Sequence, residues 1–256
     1  MDSNKFKIES GVQLLARLIR KPEIGNFYPP LFETTPKCGE NIEICCDSGS
    51  PLLIDIIAEV LVSYKINGKD TGILLFNTDG NLNFDVLVNT MRKKINTRIY
   101  QNFANFNEDV MIHEILRNFH ILEINDATEF FITIYKLENI LMEHSNISLC
   151  IFDTLTAFYW SEQGFKITKM DLYIKNLLQI IQKITKEYKV ISMYTRPHYF
   201  NSNKDTDHIE SWITETLNFR IEVTKSDKHY KVDTRTNLIQ YIKHFEFADD
   251  EVKWLT

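Results

Sequence analysis

The sequence predicts an α/β protein with a mostly parallel central sheet flanked by helices and an antiparallel C-terminal extension. Three observations predict this class. Apolar runs such as Leu149–Phe152 are continuous rather than alternating, as in strands buried on both faces. Such runs are interleaved with stretches of helical periodicity, the order that builds parallel sheets. From Phe219 onward the pattern changes to alternation, which suits antiparallel strands.

Glu9–Ile19 is predicted as a short amphipathic helix, with Leu14, Leu15, Leu18 and Ile19 on one side. Lys21–Pro36 holds four prolines and reads as an extended linker, so the core is expected to begin near Cys38. The division predicted is residues 1–36 as helix plus linker and 37–256 as one core. Asn41–Cys45 is the first strand. Pro51 opens a helix in which Leu52, Leu53, Ile56, Ile57, Val60 and Leu61 recur at three- and four-residue steps. Ser50 suits its N-cap and proline its first turn. Ile73–Phe76 is a second strand ending in Asn77-Thr78-Asp79, and Phe84–Ile95 the next helix. Asp109–Leu116 is a short helix and Phe119–Ile124 a third strand. Thr128–His144 has helical periodicity. Leu149–Phe152 ends at Asp153, Lys169–Tyr188 is a long amphipathic helix, and Val190–Tyr194 is the fifth strand. Arg196–Asp207 is a polar, turn-rich loop. Phe219–Thr224, Tyr230–Asp233 and Ile239–Phe247 form the extension.

Composition narrows the function classes. The chain has 256 residues and a net charge of −6, which disfavours strong non-specific nucleic-acid binding by the chain alone. The charge is uneven. Glu162–Lys243 carries 14 Lys and Arg against 10 Asp and Glu, so the remainder holds −10 of the total. Any nucleic-acid contact is therefore expected in the later half, although a solvated face explains the same excess. Cys38, Cys45, Cys46 and Cys150 form no C-x-x-C pair and no zinc spacing, which points to reduced thiols and a reducing compartment. No apolar run approaches the roughly 20 residues of a membrane span. The polar N-terminal stretch shows no signal peptide.

Strand, tight loop and helix between Asn41 and Ile57 is the frame in which a P-loop holds nucleotide phosphates. A working loop reads G-x-x-x-x-G-K-[ST]; Cys46, Asp47, Ser48, Gly49, Ser50, Pro51, Leu52 and Leu53 stand there instead. Leu52 occupies the lysine position and Leu53 the metal-binding hydroxyl position. Pro51 replaces the second glycine and has no N–H for a phosphate. Asp47 adds negative charge. An ordinary βα turn that never bound phosphate accounts for the same residues. Asp153 lies at the carboxyl end of its strand, where open α/β sheets place ligands.

Taken in this order, the residues resemble the RecA-type recombinase family, from about residue 8 to the end. Glu9–Leu18, Phe76–Phe84 and Ile151–Trp160 (IFDTLTAFYW) narrow the resemblance to a paralogue of the eukaryotic strand-exchange recombinase. The resemblance implies a RecA-like P-loop NTPase fold. Asp153 matches the carboxylate that polarises a magnesium-bound water, and Asp79 the carboxylate that orients the attacking water. Both are vestigial here, or simple strand-end caps. The lysine and threonine of the phosphate loop have no match, nor does the glutamine that senses the γ-phosphate near Arg196-Pro197.

The function this implies is that of a non-catalytic recombinase-paralogue subunit in homologous-recombination repair of double-strand breaks. It would assist recombinase filament assembly on single-stranded DNA, in the nucleus, within a hetero-complex of other paralogues. No catalytic residue, metal or cofactor is expected, and ATP with magnesium only if the loop binds in a non-standard way. In this family single strands lie against the loops after the fourth and fifth strands. The candidates there are Lys166, Arg196, His198, Tyr199, Phe200 and Lys204, cations interleaved with aromatics that suit weak contact with single-stranded or branched DNA. Phe158, Tyr159 and Trp160 lie in the first of these loops as further stacking aromatics, or else are core or partner contact. Two other readings stay open: a DNA-dependent ATPase with an unusual phosphate loop, and an α/β interaction module with no DNA role.

Overall fold

A computed structural model describes residues 10–18, 27–46, 50–99, 107–163, 169–198, 217–227 and 229–255. The element order is α1 (Gly11–Leu18), β1 (Asn41–Cys45), α2 (Pro51–Ile66), β2 (Gly72–Asn77), α3 (Phe84–Ile99), α4 (Glu108–Leu116), β3 (Phe119–Glu123), α5 (Ala127–Glu143), β4 (Ile147–Asp153), α6 (Met170–Glu187), β5 (Ile191–Arg196), β6 (Phe219–Ser226), β7 (His229–Arg235), β8 (Gln240–Ala248) and β9 (Glu251–Leu255). One nine-stranded sheet runs β3-β2-β4-β5-β1-β6-β7-β8-β9. Its first five strands pair in parallel, and β6 joins β1 in parallel as well. The remaining three pair antiparallel. The predicted class is the one found, a doubly wound sheet of RecA-like type.

Alternation along each strand divides the core in two. Ile42 and Ile44 of β1, Ile73 and Leu75 of β2 and Ile151 of β4 pack under α2 and α3. Phe76, Cys150, Phe152 and Tyr194 face the opposite way, under α5 and α6. Burial on both faces is why these strands read as unbroken apolar runs. The antiparallel strands bury Ile221, Val223, Val232 and Phe245 on one face only, hence their alternation.

Two expectations are corrected. Lys21–Pro36 is not wholly a linker: Phe27, Tyr28, Leu31 and Phe32 are all 5% exposed or less and belong to the first core cluster. The Tyr28 hydroxyl donates to the Asp55 carboxylate of α2, and Trp254 Nε1 donates to Tyr28 Oη across 3.2 Å. The core therefore includes Phe27–Phe32, ahead of the predicted boundary at residue 37. The fourth antiparallel strand, β9, was not anticipated at all.

The start of α1 is set by Ser10 and Gln13. Gln13 N donates to Ser10 Oγ (3.1 Å) and Ser10 N donates to Gln13 Oε1 (2.9 Å), a reciprocal cap. Gln13 Nε2 reaches Glu138 of α5, while Leu14, Leu15 and Leu18 remain exposed. Ile19 lies outside the described residues. Among the described residues no helix is long and apolar enough to cross a membrane.

Candidate functional site

The carboxyl ends of β1, β2, β4 and β5 meet at one edge of the parallel sheet, and the predicted residues gather there. Cys46 N donates to the Arg196 carbonyl (3.0 Å), which ties the exit of β1 to that of β5. Asp47, Ser48 and Gly49 lie outside the described residues. Ser50 is the N-cap of α2 and Pro51 its first residue, but the serine side chain makes no capping bond, and its Oγ is buried without a hydrogen-bond partner among the described residues. Leu52 and Leu53 are 0% and 3% exposed and pack into the core. The two positions that would hold phosphate and metal thus hold apolar side chains inside the protein.

Asp153 ends β4, with a cis peptide to Thr154. Its carboxyl group is 7% exposed and accepts a hydrogen bond from the Thr195 hydroxyl. Burial pushes its pKa up to about 6, the Thr195 hydroxyl opposes the rise, and the nearby Asp79 charge adds to it. Among the described residues no Lys or Arg forms an ion pair with it. Asp79 is half-buried, accepts from Asn81 N (3.1 Å) and sits before Gly80, whose φ of +68° the turn requires. Thr78 N donates to the Asp153 carbonyl (2.8 Å) and Thr78 Oγ1 to the Thr154 carbonyl (2.7 Å). Beside them Asn77 Nδ2 donates to both oxygens of Glu123 at the end of β3. The structure therefore brings Asp79 and Asp153 near each other at the carboxyl ends of β2 and β4. Among the described residues no group of three or more His, Cys, Asp or Glu side chains is placed to hold a metal ion.

The DNA-contact candidates fare differently. Lys166, Tyr199, Phe200 and Lys204 lie outside the described residues. Arg196 is a correction: its side chain is 1% exposed and its Nη1 contacts Glu43 Oε2 (3.3 Å) and Asp171 Oδ1 (3.0 Å). A guanidinium buried between two carboxylates is closed to a phosphate. His198 is half-buried, and its Nε2 lies against the Val223 carbonyl of β6. In the turn after β4, Phe158 packs on Phe130 and Tyr159 on Tyr173 of α6. Trp160 is 63% exposed with its edge on Tyr159.

Sequence reasoning missed Glu43. It is fully buried in β1, accepts from Tyr194 Oη (2.8 Å) and pairs with Arg196 and Arg220 (3.5 Å). Burial alone would raise its pKa, but the two guanidiniums and the tyrosine hold it below the usual value. The signal available was a lone acid between Ile42 and Ile44 in a strand that must be buried on both faces.

No family model matches the sequence. Among curated proteins the chain is similar to DNA repair protein XRCC2 of Mus musculus. They are 23% identical over 214 residues, covering 80% of this chain and 74% of the relative. Over most of its length, then, the chain is XRCC2-like, and the resemblance to a paralogue of the strand-exchange recombinase holds.

Proposed function

We propose that this chain is a non-catalytic subunit of a recombinase-paralogue complex that works in homologous-recombination repair of DNA, in the nucleus. The repair role is carried over from the XRCC2 relative. The non-catalytic role rests on one observation. Leu52 and Leu53 fill the core at the two positions where a P-loop needs its lysine and hydroxyl, while the sheet around them is intact. Each charge-assisted hydrogen bond contributes roughly 1.5–3 kcal/mol. Losing two or three weakens nucleotide binding by about two to four orders of magnitude or more. On this reading ATP and magnesium are not cofactors of the chain, and Asp79 and Asp153 are relics of a site that no longer closes on phosphate. Its contribution is a folded RecA-like surface offered to other paralogues, with only weak contact to single-stranded or branched DNA inside the complex.

Affinity purification of the tagged full chain from its own cells tests this. A second RecA-type chain recovered in fixed stoichiometry, and a loss of homology-directed break repair when the chain is depleted, are expected. Recovery without any such partner, together with normal break repair after depletion, would contradict the proposal.

A further inference from the structure

Arg196 joins three elements that are far apart in sequence. It closes β5 and is followed by the long connection to β6. Its guanidinium reaches Glu43, three residues before the phosphate-loop frame begins at Cys46, and Asp171, in the first turn of α6 where the connection from β4 ends. Its carbonyl accepts from Cys46 N. The neighbouring Thr195 carbonyl accepts from Thr154 Oγ1 (2.6 Å) and from Leu155 N (3.3 Å), the start of the turn after β4. Tyr173, one turn along α6 from Met170, supports Tyr159 of that same turn. The exits of β1 and β4 are therefore tied to the end of β5, at or beside one buried cation.

Such an arrangement is costly without a return. Burying a charge in a sheet face is tolerated only when paired on several sides, and an apolar substitute is often as stable. Here one guanidinium nitrogen, Nη1, contacts both carboxylates, one of them fully buried. We infer that the Glu43–Arg196–Asp171 node fixes the relative placement of these three roots permanently, without nucleotide. This rests on the non-catalytic reading above. The node is a positioning device; Arg196 itself touches no ligand.

Hydrogen exchange on the full chain, read by mass spectrometry, tests the inference. Asp171 is 45% exposed, so Asp171→Asn should fold while it takes the charge from one arm of the node. Exchange at Leu155–Gln163 and Val190–His198 is expected to quicken about three- to tenfold, the effect of one partly exposed charge-assisted bond on local opening. Asp171→Glu should restore protection. Asp233→Asn breaks an ion pair with Arg235 on β7 and serves as the control, with no change at those segments. Millimolar Mg–ATP should leave the wild-type pattern unaltered. Equal exchange in Asp171→Asn and wild type would overturn the inference and leave the non-catalytic reading standing. ATP-dependent protection of the same segments in the wild type would overturn that reading, and the inference with it.

Discussion

Asp153 is a carboxyl group held in a place that disfavours its charge, and Asp153→Asn should reveal the cost. In the unfolded chain an aspartate titrates near 3.8; in the fold burial and Asp79 lift Asp153 to about 6. A raised acid prefers to keep its proton in the native state. Below about pH 4 both states are protonated and the position costs nothing. Between about pH 4 and pH 6 the unfolded state ionises first, so stability falls, and above pH 6 the penalty is constant. Roughly two pH units at about 1.4 kcal/mol each give a penalty near 3 kcal/mol at pH 7.5. Asparagine keeps an oxygen to accept the Thr195 hydroxyl and carries no charge. The variant should melt about 6–12 °C above wild type at pH 7.5, at the usual 2–4 °C per kcal/mol for a chain of this size. The two proteins should converge at pH 4. Melting curves by circular dichroism from pH 4 to pH 8 decide it. A gain that does not vary with pH, or a loss at pH 7.5, would refute the reasoning.

Other outcomes follow from the same structure. Phe27→Ala should cost about 3–5 kcal/mol in urea unfolding, the usual range for a fully buried aromatic, and a chain begun at residue 37 should fail to fold; a stable truncated core would return the boundary to Cys38. Glu43→Gln leaves Arg196 and Arg220 buried without a full counter-charge and should destabilise by about 3–5 kcal/mol, a loss that equilibrium unfolding at neutral pH would register. His120 and His144 stack with ring centroids 4.4 Å apart, and burial, then His144, lowers the pKa of His120. The native state resists this proton while the unfolded chain accepts it near 6.5, so stability should drop as pH falls through that value. His144→Gln should make melting between pH 7.5 and 5 less pH-dependent, and an unchanged slope would remove the pair from consideration.

What could be read in advance depended on whether the cause was local. Strands buried on both faces and the helices between them announce themselves through periodicity, so β1 was found to the residue and α2 through α6 to within a few. The apolar filling of two phosphate-loop positions was legible too, because a P-loop is contiguous and Leu52 and Leu53 are neighbours. β9 was missed because Glu251–Leu255 is short and mixed in character. Asp249 and Asp250, both with φ of +53°, were the sign of the tight hairpin turn before it. Phe27 and Tyr28 were hidden by prolines: proline marks irregular backbone, but the density of aromatics among Phe27, Tyr28 and Phe32 says that the irregular backbone is buried. Arg196 was misjudged for a different reason. A basic residue at a strand end reads as exposed, and only the pairing of β5 beside β1, with Cys45 opposite Arg196, puts Glu43 within its reach. No spacing along the chain encodes that neighbour.

The central claim is that this RecA-like core holds no nucleotide of its own. Isothermal titration of the purified full chain with Mg–ATP measures it directly. Leu52 and Leu53 stay in the core at the positions of the lysine and hydroxyl, so no heat of binding is expected up to millimolar ATP. Micromolar, magnesium-dependent binding would contradict the account, and would make Asp79 and Asp153 working residues instead of relics.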